Sequence, residues 1–128
     1  MAKFCLKIFL MAFATISFAD TCNIPTEAAL TISQVNSAAQ QKDFEALQLL
    51  MTADFTWSFG GDASATQAIA EWKTKPDVLK QLIHVTSHAC VISTDNTVEC
   101  PGNAVLGYRA GFKQGNLGWR MYYFVQGD

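Results

Sequence analysis

The stretch CVISTDNTVEC, residues 90–100, constrains the fold more tightly than any other part of the chain. Two short β-prone runs flank a DN turn signal. With the turn centred on Asp95, Ile92 faces Val98 and Cys90 lies opposite Cys100. A slip of one residue would separate the cysteines and send isoleucine and valine to opposite faces. Hydrophobic register and sulfur register therefore agree, and facing residues of an antiparallel pair lie within disulfide reach. The expectation is a structural Cys90–Cys100 bridge, since no CxxC motif marks a redox pair. With Cys5 in the N-terminal segment that export removes, Cys22 is then left over, as a free thiol near a frayed terminus or an intermolecular link.

Disulfides persist in oxidising compartments, and the N-terminus agrees with that. MAKFCLKIFLMAFATISFAD carries Lys3 and Lys7, an apolar run through Phe13, and small residues at Ser17 and Ala19. This reads as a secretory signal, residues 1–19, with an apolar run too short for a stable membrane span. Residues 20–128 then form one domain with one core, exported to the periplasm or the medium. The formal net charge of −2 becomes more acidic once the two signal lysines leave. A nucleic-acid binder needs a basic stripe that displaces counterions. Lys73, Lys75 and Lys80 cluster in the chain, but acids interrupt them, and they read as a solvated helix face.

Hydrophobic spacing divides the rest. TEAALTISQVNSAAQQKD sets Ala28, Ile32, Val35 and Ala39 on one helical face after Pro25 and Thr26. DFEALQLLMTAD reads as a short second helix with Asp43 at its N-cap. Phe55, Trp57 and Phe59 alternate with Thr56 and Ser58, the period of a strand. Ser64 and Gln67 mark a third helix with Ile69 and Trp72 inward, and Pro76 opens a fourth carrying Val78, Leu79, Leu82 and Ile83. Four extended stretches follow, VTSHACVIST, TVEC, NAVLGYRAGF and LGWRMYYFVQ. Helices first and antiparallel strands mostly last describe an α+β arrangement with helices on one face of a curved sheet.

Few groups suggest chemistry. His84 and His88, on a strand, would share a face with Cys90, and two imidazoles with a thiolate can hold zinc. Oxidation of Cys90 removes the sulfur, so hydrogen-bonded histidines lining the sheet are expected, with no metal and no cofactor. Ser58 and Ser64 sit in no GxSxG elbow. GGD at residues 60–62 lacks the lysine and hydroxyl of a phosphate loop. Gly60 and Gly61 let the chain reverse, and Asp62 sits favourably before a helix start. Trp57, Phe59, Trp72, Tyr108, Tyr122 and Phe124 are candidates to line an apolar pocket, although most aromatics of so small a domain must be core.

The phrases QQKDFEALQLLMTADFTWSF and YRAGFKQGNLGWRMYYFVQGD, with a long helix before them and a helix after the turn, resemble the nuclear transport factor 2-like superfamily, which includes ketosteroid isomerase and polyketide cyclases. The resemblance implies a cone-like, mostly antiparallel mixed sheet wrapped around the long N-terminal helix, two or three further helices, and a hydrophobic cavity between helices and sheet. It also implies self-association through the sheet. Fold alone does not assign function here. In the isomerase branch a base carboxylate follows an aspartate resembling Asp54 by a few residues, and Phe59 stands at that place. A phenyl ring cannot abstract a proton. The expectation is therefore a non-enzymatic domain that binds a small apolar ligand or associates with itself. The rival is an isomerase or lyase for a small hydrophobic substrate, with Asp62 as base and His84, His88 or Tyr108 as acid.

Overall fold

The computed structural model describes residues 24–58, 63–102 and 107–127. The signal segment, Cys22, Phe59 and the GGD turn with Asp62 lie outside them. The described elements run α1 (Thr26–Gln41), α2 (Phe44–Leu49), β1 (Met51–Thr56), α3 (Ala65–Lys73), α4 (Pro76–Thr86), β2 (Val91–Ile92), β3 (Val98–Cys100), β4 (Gly107–Gly115) and β5 (Gly118–Gly127). The strands form one mixed sheet in the order β1-β5-β4-β3-β2, antiparallel except for the parallel pair β1 and β5. The α+β class is the one that hydrophobic periodicity anticipates. No helix among the described residues is long and apolar enough to cross a membrane.

Local signals explain most boundaries. In α1, Ala28, Ile32, Val35 and Ala39 are all buried, the predicted face. The helix stops at Lys42, whose left-handed φ of 55° lets its N–H reach back to the Ala38 and Ala39 carbonyls. Asp43 caps α2 by accepting from the Ala46 N–H at 3.1 Å, and Ser64 caps α3 by accepting from Gln67 at 3.2 Å. Pro76 occupies the first turn of α4, where its missing N–H leaves nothing unsatisfied.

The second helix and first strand differ from expectation. α2 ends at Leu49, and β1 begins at Met51, taking the MTAD that helical spacing assigns to the helix. Pairing with β5 decides it: the Met121 N–H donates to Leu50 O at 2.8 Å, and Met51 and Phe55 are buried. Cross-strand hydrogen bonding overrides the good helix propensity of Leu-Leu-Met, as tertiary context commonly does. Trp57 consequently lies one residue beyond β1. Ala63 bridges antiparallel to Thr56, and the Ser64 N–H donates to Phe55 O at 2.8 Å, so the chain comes back alongside β1 before α3.

The core lies between the helices and one face of the sheet. Ala110, Phe112, Met121, Phe124, Val98 and Cys100 turn toward the helices and are buried. α1 crosses β4 and β5, with Thr31 Oγ1 donating to Trp119 O at 3.3 Å. Asn36 joins α1 to the end of α4 through hydrogen bonds from its amide to Ile83 O at 3.1 Å, Thr86 Oγ1 at 2.9 Å and Ser87 Oγ at 3.0 Å. Cys90 and Cys100 are bonded, with Cα atoms 4.4 Å apart, and Ile92 pairs with Val98 as the register argument requires. Asp95 holds the turn by accepting from the Ser93 and Thr97 hydroxyls, which keeps its carboxyl below the ordinary value.

Candidate functional site

Aromatic rings form a continuous path from the core to the surface. Phe55 meets Trp72 edge to face with centroids 5.6 Å apart, Trp72 meets Phe124 the same way at 5.8 Å, and Tyr108 stacks on Phe124 at 5.1 Å. Where the path reaches the surface, a cleft of about 320 Å³ opens between the end of α3, the start of α4 and the far end of the β4–β5 pair. Trp57, Trp72, Tyr108 and Phe124 line it, and Glu71, ion-paired with Lys75, stands at its rim. Four of the six pocket residues expected from the sequence are thereby brought together. The Trp57 indole N–H is shielded from solvent and has no acceptor among the described residues.

Tyr122 is not part of this cleft. Tyr122 and Phe124 are two residues apart and would share a face of a regular strand, but the β4–β5 register shifts between Gly111 and Phe112. The bulge spends one extra residue of β5, so Met121 and Phe124 both point inward while Tyr122 turns outward. There it packs against Tyr123 at 4.8 Å and beneath the Lys113 ammonium at 4.9 Å. With Thr56, Glu99, Arg109, Tyr123 and Val125 it lines a hollow of about 380 Å³ on the outer face of the sheet.

The outer face carries a network that sequence reasoning missed. Tyr123 donates to Glu99 Oε2 at 2.8 Å, and Arg109 Nη1 approaches the same carboxylate oxygen at 3.9 Å. Burial, and then the hydrogen bond to Glu99, pushes the Tyr123 phenol above its ordinary range. The residues come from three strands, so no local spacing links them.

The histidines also fall elsewhere than expected. His84 lies in the last turn of α4 and His88 just beyond it, both exposed, and neither lines the sheet. The extended pattern assigned from Val85 onward yields to the helix because Leu82 and Val85 are buried one turn apart and Thr86 Oγ1 donates back to Leu82 O at 2.7 Å. Lys75, at the cleft, precedes His84 by nine residues, about 13 Å along a helix axis. Of the acid and base candidates, the structure brings only Tyr108 to the cleft among the described residues. A further groove of about 510 Å³ runs between α1 and the end of α4, past His88 and the disulfide. Its Asn36 amide is already engaged with Thr86 and Ser87.

Comparison with solved structures places the architecture. A protein of unknown function with a cystatin-like fold from Nostoc punctiforme superposes with a TM-score of 0.52 at 11% identity, covering 81% of this chain and 92% of that one. An NTF2-like protein with a cystatin-like fold from Novosphingobium aromaticivorans gives a TM-score of 0.49 at 17% identity, covering 77% of each chain. No family model and no curated protein matches the sequence. At such identity the first likeness is one of fold, and the α+β fold implied by the sequence resemblance is the one found.

Proposed function

We propose that this protein is a small exported binding domain whose aromatic cleft takes a flat apolar molecule without transforming it. One observation carries the reading: Trp57, Trp72, Tyr108 and Phe124, distant in sequence, converge on a single cleft of about 320 Å³. A two-ring ligand that loses about 200 Å² of apolar surface there gains roughly 5 kcal/mol before the cost of association. Useful affinity then needs polar anchors, which Glu71, Lys75 and Gln126 supply at the rim. Against catalysis stand the Phe59 ring where the related isomerases hold a base, an inference from sequence alone, and the remoteness of His84 and His88. Export is supported by the Cys90–Cys100 bridge and by the N-terminal pattern of residues 1–19.

Native mass spectrometry of protein isolated from its own host tests the reading. A reproducible extra mass that disappears in Tyr108→Ala supports it, and a bound mass unaffected by that change contradicts it. The same spectrum reports subunit number. Self-association through the sheet is the second reading, favoured by the hollow between Tyr122, Tyr123 and Val125 on the outer face. A strict monomer at high concentration counts against it.

A further inference from the structure

His84 and His88 belong to neither the cleft nor the core, yet their rings lie together with centroids 4.4 Å apart. His88 Nδ1 is 2.7 Å from the His84 carbonyl oxygen. A carbonyl only accepts, so Nδ1 carries the proton, and in the neutral ring the free lone pair is on Nε2. Metal-ligating imidazoles are held in this way, one nitrogen donating to a carbonyl and the other available to the ion.

Spacing and field agree. Residues four apart near a helix end lie one above the other, which brings the two rings to one side, tilted 54° to each other. A divalent ion about 2.0–2.1 Å from one nitrogen of each ring needs those nitrogens about 3 Å apart, a separation that rings 4.4 Å apart can supply. The C-terminal end of α4 also carries partial negative charge, which favours a cation. Cys90 is not available, being bonded to Cys100. No third histidine, cysteine or carboxylate joins the pair among the described residues, so water completes the coordination. We infer that His84 and His88 form a two-imidazole surface site for a divalent transition-metal ion, taking Cu²⁺ ahead of Ni²⁺ and Zn²⁺. The site is separate from the aromatic cleft and does not depend on it.

The experiment uses tag-free protein with its free thiols alkylated, titrated with CuCl₂ near neutral pH and followed by electron paramagnetic resonance. The expected result is one equivalent of copper with superhyperfine coupling to two imidazole nitrogens. His84→Gln and His88→Gln should each weaken binding about tenfold or more, because the second imidazole of a chelate acts at millimolar effective concentration or above. Both side chains are exposed, so circular dichroism should be unchanged. Copper bound equally well by the double variant, or coupling to fewer than two nitrogens in the wild type, overturns the inference.

Discussion

Tyr123 reaches across Gly111 to donate a hydrogen bond to Glu99 at 2.8 Å. The three residues stand in one row over β3, β4 and β5, Glu99 paired with Gly111 and Gly111 with Tyr123. A Cβ at Gly111 would collide with the phenol ring, so the central residue must be glycine for the outer two to meet. Gly111→Ala should force the ring aside and destabilise the protein by about 1–3 kcal/mol in urea unfolding. In a Tyr123→Ala background the same change should cost much less. Equal costs in both backgrounds would show that the ring is not what limits this position.

The same phenol predicts a pH dependence. Its pKa is raised in the folded state by burial and by Glu99. As pH climbs past about 10, the unfolded chain loses this proton while the folded protein keeps it, so stability falls. The loss stays below the limit of about 1.4 kcal/mol per pH unit because the residue is only half-buried. Tyr123→Phe should lose less stability between pH 9 and 11 than the wild type, read by urea midpoints. Parallel curves for the two proteins would contradict this.

Cleft residues should separate into those that hold the fold and those that face a ligand. Trp72 is 3% exposed and packs on both Phe55 and Phe124, so Trp72→Ala should cost about 3–5 kcal/mol. Tyr108 is only half-buried, and Tyr108→Ala should cost about 1 kcal/mol. An unfolding midpoint for Trp72→Ala close to that of the wild type would remove Trp72 from the core.

The Cys90–Cys100 bridge closes a loop of sequence separation 10. Reduction should cost about 2–3 kcal/mol by loop-closure entropy. Thiol titration of the denatured, unreduced protein should find Cys22 alone if the chain is cleaved after Ala19, and Cys5 with Cys22 if it is not. Reactive thiol at Cys90 or Cys100 would contradict the bridge.

The parts of this fold legible in the sequence are those in which one local signal decides. Asp43, Ser64 and Pro76 announce helix starts by their own chemistry, and Cys90, Ile92, Val98 and Cys100 fix a register by agreeing with one another. The state of Met51 is not legible locally, because a parallel partner 70 residues away at Met121 settles it. Tyr122 turns away from Phe124 because a bulge changes parity, and nothing in MYYFV marks the extra residue. Trp57, Trp72, Tyr108 and Phe124 could be named as pocket residues from their type, but their shared cleft is a product of tertiary structure. The rim pair Glu71 and Lys75 shows in the sequence as an i, i+4 spacing of opposite charges. The Glu99, Arg109 and Tyr123 network crosses three strands and leaves no local trace.

The most direct test of the cleft is a titration of ¹⁵N-labelled protein with 2-naphthol, a flat two-ring probe, followed by the indole N–H signals. The chain has three tryptophans. Trp57 and Trp72 line the cleft, whereas Trp119 is buried five residues from Phe124 along β5, about 16 Å away. Binding in the cleft predicts saturable shifts at Trp57 and Trp72 with Trp119 unmoved, and their loss in Tyr108→Ala. No shift at millimolar probe, or equal movement of all three signals, contradicts a specific aromatic site.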